Sequence, residues 1–294
     1  MGPEVAAAGV REHAGRASFL VFGPAGADVD LGEAEFRQVG AWTPGAGDAL
    51  AGRLAGDAIR AAVDAALAGQ VDALVTAPID KHALQRGGYA FPGHTELLRH
   101  LTASGAVAMM MAAERTRLGG PLRVVLATTH LPLAAVPAAV TRDLLVEQGL
   151  LGAAGLRAGW GIAEPRVALC ALNPHASDGG LFGTEEADVL APAVQGLRHA
   201  GVDASGPFPA DTVFTRALRG EFDAVIAPYH DVGMAAFKTA AFGTGVNVTL
   251  GLPFPRTSPD HGTAMDIAGR GVADPTSMNE AIGLAAHLAM RGWG

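Results

Sequence analysis

The sequence contains one cysteine, Cys170, among 294 residues. A single thiol excludes a disulfide framework and a cluster of thiolate zinc ligands. Because Cys170 lies within the apolar run RVALCAL, we expect its side chain to be buried and chemically inert.

Aromatic and basic residues are also scarce. Phe, Trp and Tyr make up 5% of the chain, and 21 Lys and Arg face 29 Asp and Glu, for a formal net charge of −8. Such a chain has neither the basic stripe nor the stacking platform that a nucleic-acid partner requires. No apolar run reaches transmembrane length and no signal peptide opens the chain, so we expect a cytoplasmic protein without a membrane partner.

Apolar residues are abundant, at 49% of the chain, and most of the 40 glycines lie between short apolar runs. These β-branched runs alternate with alanine-rich stretches, which is typical of an α/β protein with a largely parallel sheet. We predict strands at residues 18–22, 71–75, 106–111, 123–127, 166–172, 223–227 and 246–250. We predict helices at residues 4–13, 48–68, 81–86, 95–102, 142–158, 185–199 and 274–290.

Polar residues follow four of these predicted strands at the point where each strand ends. The segments are TAPIDK after residue 75, TTH after residue 127, NPH after residue 172 and YHD after residue 228. In open α/β sheets, ligands bind outside the carboxyl ends of the strands. We therefore expect a ligand site at this edge of the sheet.

Three histidines, His130, His175 and His230, occupy equivalent positions just past predicted strand ends. A single loop histidine is usually a capping or hydrogen-bonded residue, but three in equivalent positions favour a divalent metal site with open positions for substrate. Asp211 and Asp231 are candidates to orient the imidazoles. Asp211, in PADT, could equally cap a helix.

Residues 227–271 combine ionisable groups with glycines and prolines, and we interpret this stretch as the floor of a site. Lys238, Asn247 and Arg256 offer two cations and an amide. Upstream, His94 and Thr95 in FPGHTELL stand where a helix begins, and they fit either an anion site or a simple cap. For each cation, a solvated surface position is the alternative interpretation.

From the residues alone, the pattern indicates a metal ion beside cationic groups suited to a small phosphorylated or carboxylated substrate. Metal-assisted dehydrogenation of an alcohol and metal-assisted hydrolysis both fit. No GxGxxG fingerprint and no Walker A motif occurs, so neither nucleotide site is indicated by motif. A non-catalytic binding protein also remains open.

At these residues the sequence resembles the 4-hydroxythreonine-4-phosphate dehydrogenase family of pyridoxal phosphate biosynthesis. The segments that carry the resemblance are VTAPIDKHAL, FPGHTELL, LRVVLATTHLPL, ALNPHASDGGLFGTEE, GPFPADTVF, YHDVGMAAFK and GVNVTLGLPFPRTSPDHGTAMDIAGRG. They keep the family order from about Val71 onward. The chain departs from the family at its start: family members usually begin with a strand and a glycine-rich loop, and this sequence begins inside that loop, at MGPE.

The resemblance implies two α/β domains like those of isocitrate and isopropylmalate dehydrogenases, with the active-site cleft between them. We expect residues 1–93 and 262–294 to form the first domain, and residues 94–261 to form the second domain and carry the metal-binding histidines. It also implies a homodimer with active sites at the subunit interface.

The implied activity is NAD-linked oxidation of 4-hydroxy-L-threonine 4-phosphate at C3, followed by decarboxylation to 3-amino-2-oxopropyl phosphate. NADP is a possible replacement for NAD, and the divalent metal is zinc, magnesium or cobalt. Relatives that act on D-threonate or D-erythronate 4-phosphate, or on a dihydrodiol, are the alternative. The implied metal ligands are His130, His175 and His230; the implied substrate ligands are His94, Thr95, Lys238, Asn247 and Arg256; the candidate catalytic residues are Lys238 and Asp211.

Overall fold

The computed structural model describes residues 1–27 and 29–293. The strands are β1 (Leu20–Ala25), β2 (Glu35–Ala41), β3 (Leu74–Val75), β4 (Ala108–Ala113), β5 (Leu122–Leu126), β6 (Arg166–Cys170), β7 (Asp203–Phe208), β8 (Ala224–Ala227), β9 (Val246–Leu250) and β10 (Arg256–Pro259). The α-helices are α1 (Gly2–Glu12), α2 (Asp48–Leu67), α3 (Lys81–Arg86), α4 (His94–Leu101), α5 (Val136–Ala139), α6 (Arg142–Trp160), α7 (Ala191–His199), α8 (Ala210–Leu218), α9 (His230–Ala241) and α10 (Thr276–Ala289). Within these ranges, no helix is both long and apolar enough to cross a membrane.

The chain divides into two compact units, and the first is discontinuous. Unit 1 comprises Met1–Gly105 and Leu252–Gly294, and unit 2 comprises Ala106–Gly251. We predicted the divisions after residues 93 and 261, and both observed divisions lie about ten residues away. The reason is local packing within unit 1, where α4 contacts α2 and β10 pairs with β3.

Unit 1 contains two parallel strand pairs. β1 pairs with β2, and β10 pairs with β3 in the register Arg256↔Leu74. Helix α10 packs on β10 and β3, and α1 packs on α10. Helix α3 begins where the Asp80 carboxylate accepts a hydrogen bond from the backbone N–H of Ala83 at 2.8 Å, which is a side-chain N-cap.

Unit 2 is built on strands in the order β9-β4-β5-β8-β6-β7. Strand β4 is antiparallel to both of its neighbours, whereas β5, β8, β6 and β7 are mutually parallel. The predicted α/β class is therefore confirmed, with one antiparallel strand in a mixed sheet.

Helices cover both faces of the unit 2 sheet. On one face, Phe214 of α8 and Phe237 of α9 join a buried cluster with Val124 and Val225. On the other face, α6 approaches closely through glycine: a Cβ added at Gly152 would lie 3.1 Å from Val125 Cγ2. The side chains of adjacent strand residues point to opposite faces, which is why Val124 and Val125 meet different helices.

The unpredicted elements are β2, β7, β10, α5, α8 and α9. The β7 sequence DASGPF contains Gly206 and Pro207, which normally indicate a turn, but β7 pairs only with β6. An edge strand tolerates proline because its outer N–H groups need no partner. The β10 sequence RTSP is polar, yet all four of its residues are buried. Tertiary packing, not local sequence preference, forms both strands.

The predicted helix at residues 185–199 forms as two segments. A π-helical turn, Glu186–Leu190, precedes α7. Pro192 lies in the first turn of α7 and has no N–H to donate to the carbonyl four residues earlier.

Candidate active site

The parallel pairing of β5 with β8 brings two of the predicted metal ligands together. The register matches Leu126 with Ala227, so both strands end at the same level of the sheet. His130 follows β5 after four residues, and His230 is the first residue of α9, three residues after β8. The hydroxyl of Thr128 donates to the carbonyl of Pro228 at 2.8 Å and ties the two segments together.

The imidazole rings of His130 and His230 have centroids 5.6 Å apart and an interplanar angle of 40°. Two histidines bound to one tetrahedral ion with metal–nitrogen bonds of about 2.1 Å have centroids roughly 5–6 Å apart. The observed centroid separation of 5.6 Å lies within this range.

Asp231, a predicted partner of the imidazoles, contacts the His230 ring. Its Oδ1 lies 2.7 Å from His230 Nδ1. A proton on Nδ1 that is donated to this carboxylate leaves Nε2 as the lone-pair nitrogen, which is the common arrangement of metal-binding histidines.

A pocket of about 250 Å³ lies beside this pair within unit 2. Its lining residues are Thr129, His130, Leu131, Leu133, Val136, Tyr229, His230 and Asp231. Leu131 and Leu133 are 45% and 69% exposed, so the polar floor has an apolar, solvent-exposed rim. Burial, with the nearby Cys170 and Asp231, raises the pKa of Tyr229 above its ordinary value.

The third predicted ligand, His175, does not join the other two within one chain. In residues 1–27 and 29–293, no three or more His, Cys, Asp or Glu side chains form a group that could hold a metal ion. His175 follows β6 and is exposed, with its ring edge-on to Phe182 at a centroid distance of 6.4 Å. Among the described residues, the rings of His130 and His230 are neighbours, and His175 instead lies beside Phe182.

The backbone around His175 has an unusual conformation. Residues 175–179 all have φ angles between 46° and 72°, in the left-handed region. Glu186, which the sequence indicated only as an acidic residue at a helix N-terminus, anchors the segment that precedes them. Burial raises the pKa of Glu186, but hydrogen bonds from Asn173 and Leu172 outweigh it, and the pKa lies below its ordinary value.

Asp211 and Cys170 lie near this segment. Asp211 is in the first turn of α8 and is exposed; Pro209 occupies the N-cap position, so Asp211 is not the cap. Burial, followed by the charges of Asp211 and Glu186, raises the pKa of Cys170 to about 12. Cys170 is fully buried, as predicted.

In unit 1, His94 lies close to the positive charges of Arg256 and Lys81, and we call this group the cationic cluster. The guanidinium of Arg256 is 1% exposed, and its NH2 group donates to Thr76 Oγ1 at 2.5 Å. Burial lowers the pKa of Arg256 to about 9. Burial, and then the positive charges of Arg256 and Lys81, hold the pKa of His94 well below its ordinary value.

The N-terminus of α4 adds to this cluster. Gly93 is the N-cap and provides no side chain, so the first N–H groups of α4 have no side-chain cap. His94 Nε2 is buried without a hydrogen-bond partner among the described residues, and Thr95 is partly buried beside it. Sequence reasoning noted Thr76 and Lys81 at a strand end but assigned them no role. A buried cation and an uncapped helix start together favour an anionic ligand.

The other two predicted substrate ligands belong to unit 2. Asn247 lies on β9, and its Oδ1 is buried without a hydrogen-bond partner among the described residues. Lys238 lies in the last turn of α9, with its Nζ 5.7 Å from the centroid of the Phe242 ring.

The chain is similar to a family of known proteins. The family model described as pyridoxal phosphate biosynthetic protein PdxA matches residues 8–285. The 4-hydroxythreonine-4-phosphate dehydrogenase of Caulobacter vibrioides is 50% identical over 233 residues, which cover 79% of this chain and 70% of that protein.

Solved structures of dehydrogenases are also similar to this chain. The 4-hydroxythreonine-4-phosphate dehydrogenase of Klebsiella pneumoniae superposes with a TM-score of 0.80 at 41% identity, covering 92% of this chain and 82% of that one. A terephthalate 1,2-cis-dihydrodiol dehydrogenase from Burkholderia xenovorans gives a TM-score of 0.68 at 30% identity, covering 97% and 94%. A β-decarboxylating dehydrogenase from Thermococcus kodakarensis shares the fold, with a TM-score of 0.50 at 13% identity over 97% of this chain and 80% of that one.

Proposed function

This chain belongs to the pyridoxal phosphate biosynthetic protein PdxA family, and on that premise we propose a complete reaction for it. It oxidises 4-hydroxy-L-threonine 4-phosphate at C3 with NAD, and the resulting 3-oxo acid loses CO2 to give 3-amino-2-oxopropyl phosphate. The observation that carries the activity is the 50% identity to a dehydrogenase of this name over 79% of the chain.

We propose that His130 and His230 hold a divalent metal, since their ring separation of 5.6 Å fits a shared ion. Such an ion would supply Lewis-acid chemistry toward the substrate hydroxyl, and a bound nicotinamide cofactor would supply the hydride acceptor. The chain's own residues would orient the site. Asp231 Oδ1 lies 2.7 Å from His230 Nδ1 and holds the ring, and the apolar side chains of Leu131 and Leu133 would limit the access of water to the pocket. Zinc, magnesium and cobalt all remain candidates for the metal.

The cluster in unit 1 suits the phosphate group of the substrate. Neutral His94 donates one hydrogen bond without a full positive charge, while Arg256 supplies a fixed, forked pair of donors. The N–H groups of Thr95 and its neighbours at the α4 N-terminus complete the set. Lys81, whose charge acts on His94, is an additional phosphate ligand in this proposal.

Lys238 and Asn247 are proposed to bind the remaining polar groups of the substrate. The unpartnered Oδ1 of Asn247 is an available acceptor for a substrate donor. The ammonium of Lys238 is suited to donating a proton to C2 of the substrate, which carries the electron pair left behind when CO2 departs. Asp211, exposed near Cys170, is kept as a candidate residue that orients the His175 segment.

The metal site is proposed to be completed by a second copy of the chain in a homodimer. One chain brings together only two of the three predicted imidazoles, and exposed apolar residues flank both parts. Leu131 and Leu133 adjoin the two-histidine pocket, and Leu181 and Phe182, which are 72% and 47% exposed, adjoin His175. Exposed apolar residues beside an incomplete site are typical of a subunit interface.

A related dehydrogenase acting on a dihydrodiol is the second candidate. The 30% identity to a dihydrodiol dehydrogenase structure supports it, and the higher identity to 4-hydroxythreonine-4-phosphate dehydrogenases favours the first candidate. D-threonate and D-erythronate 4-phosphates are close substrates that the cationic cluster in unit 1 would also accept. A cytoplasmic location is part of the proposal, in line with the acidic composition and the single buried thiol.

The test is NADH formation by purified protein with added zinc, magnesium or cobalt. We expect turnover with 4-hydroxythreonine 4-phosphate, loss of turnover on chelation, and recovery when the metal is restored. Parallel assays with NADP, D-erythronate 4-phosphate and a cis-dihydrodiol identify the cofactor and substrate. Metal-dependent turnover without any nicotinamide cofactor would indicate a hydrolase, and ligand binding without turnover would indicate a binding protein.

A further inference from the structure

The segment that carries His175 has a backbone that its sequence does not favour. His175, Ala176, Ser177 and Asp178 have φ angles of 53°, 55°, 72° and 46°, and only the next residue in the left-handed run is glycine. A residue with a Cβ in this region costs roughly 1–2 kcal/mol. Four in succession persist only where the surrounding structure imposes them.

One buried carboxylate holds the start of this segment. Glu186 is 5% exposed. Its Oε1 accepts hydrogen bonds from the backbone N–H groups of Leu172 at 2.9 Å and Asn173 at 2.7 Å. Its Oε2 accepts one from Asn173 Nδ2 at 2.9 Å. Glu186 therefore binds the backbone and the side chain of the residue two positions before His175.

Further contacts extend this order through the turn. Glu185 Oε2 accepts a second hydrogen bond from Asn173 Nδ2 at 2.7 Å. The carbonyl of Asn173 accepts from Ala176 N at 3.2 Å, and the buried hydroxyl of Ser177 donates to the carbonyl of Gly183. The chain closes on itself from residue 173 to residue 183, with Glu186 at its base.

We propose that Glu186 is a positioning residue that arranges the His175 segment for metal binding before the ion arrives. This inference rests on the proposed function, in which His175 is a metal ligand. The left-handed turn sets the direction of the imidazole, and Glu186 holds the turn to the end of β6. Groups that orient a ligand in this way typically change metal affinity by roughly 10–100-fold when they are removed.

The first experiment is metal titration of the full-length Glu186→Gln protein with zinc, in competition with a chelating indicator. The amide keeps the shape of the side chain, but its NH2 group opposes Asn173 Nδ2. We expect the zinc dissociation constant to rise by about 10-fold or more. With cobalt(II), we also expect the visible absorption spectrum of the bound ion to change.

The matched control is Asp223→Asn. Asp223 is also a partly buried carboxylate, and its Oδ2 accepts from the backbone N–H of Arg166 at 2.8 Å at the opposite end of the same strand, β6. Its loss should lower stability without changing zinc affinity or the cobalt spectrum. Equal weakening of zinc binding in both variants would indicate general destabilisation and overturn the proposal, as would wild-type zinc affinity in Glu186→Gln.

A second measurement needs no variant and decides the matter if Glu186→Gln fails to fold. Amide hydrogen exchange of the metal-free wild-type protein should show Leu172 and Asn173 already protected. Fast exchange that slows only when zinc is added would mean that the metal orders the segment, and the proposal would fail.

His175→Ala separates this inference from the proposed function. Zinc affinity that is unchanged in His175→Ala removes His175 from the metal site, which is a failure of the proposed function. Zinc affinity that falls in His175→Ala but not in Glu186→Gln, whose fold is intact, leaves the metal site standing and removes only the role of Glu186.

Discussion

Burial and hydrogen bonding together set the charge states of individual side chains in this protein. His94 is driven toward its neutral form, whereas Glu186 stays ionised because it accepts several hydrogen bonds. Arg256 keeps its charge near neutral pH, since its pKa is about 9. The residue types of the site could be predicted from their places after strand ends. Their protonation could not, because it depends on neighbours that only the fold supplies.

Replacing His94 with Asn should weaken the pH dependence of stability. The pKa of His94 is lowered in the folded state, so between that value and 6.5 the unfolded chain binds more protons than the folded chain. Wild-type stability from this group is therefore full above pH 6.5 and falls as the pH drops below it. Urea unfolding at a series of pH values measures the effect. Identical pH profiles for both proteins would contradict the account of His94.

Replacing Arg256 with Met should weaken binding of the phosphorylated substrate by about 10–100-fold, because a charged hydrogen bond contributes about 1.5–3 kcal/mol. Stability should not fall greatly, since exchanging a buried charge for an apolar side chain is often neutral. Calorimetric titration measures the affinity. Arg99→Met, an exposed change on α4, is the control, and an equal effect in both would remove Arg256 from the phosphate site.

At the scale of elements, strands with apolar sequences were predicted well and polar ones were not. The strand predicted at residues 246–250 matches β9, whereas β10 was not predicted because RTSP shows no apolar pattern. The meeting of His130 and His230 followed from parallel strand ends. The place of His175 did not, because Ala176, Ser177 and Asp178 give no sequence signal for left-handed backbone.

Replacing Gly233 with Ala should displace α9 and disturb His230 at its start. The added Cβ would lie 2.6 Å from Leu126 Cδ2, 2.9 Å from Ala227 Cβ and 3.1 Å from Val124 Cγ1. Such overpacking costs about 1–3 kcal/mol. We expect lower stability in chemical denaturation and weaker zinc binding in titration.

The control for Gly233 is Gly152→Ala on α6, where the new methyl meets only Val125 Cγ2 at 3.1 Å, on the opposite face of the sheet. This variant should lose some stability and keep its zinc affinity. If Gly233→Ala binds zinc as tightly as the control, the position of α9 does not govern the site.

At the scale of the whole molecule, two α/β units and family membership could be anticipated from the motifs, because their order along the chain is specific. The bounds of the units could not, since α4 and β10 belong to unit 1 through contacts distant in sequence. How the chains assemble is harder to predict from the sequence than the bounds of the units. In our proposal, a second chain brings its His175 to the pocket that contains His130 and His230.

Subunit mixing tests that requirement. His175→Ala and His230→Ala proteins should each lack metal-dependent activity. In a mixed dimer, one site would combine intact His130 and His230 with an intact His175 from the other chain. Random exchange should therefore restore about a quarter of the wild-type sites, because half of the dimers are mixed and each has one intact site. No recovery after verified exchange would contradict a shared site.

The most direct measurement is an anomalous difference map from crystals of the zinc-loaded protein. The account predicts one strong peak within bonding distance, about 2.1 Å, of ring nitrogens of both His130 and His230. The account would be contradicted by a peak that contacts only one of these rings. It would also be contradicted by a peak elsewhere on the chain while the pocket at His130 and His230 is correctly folded and holds no ion.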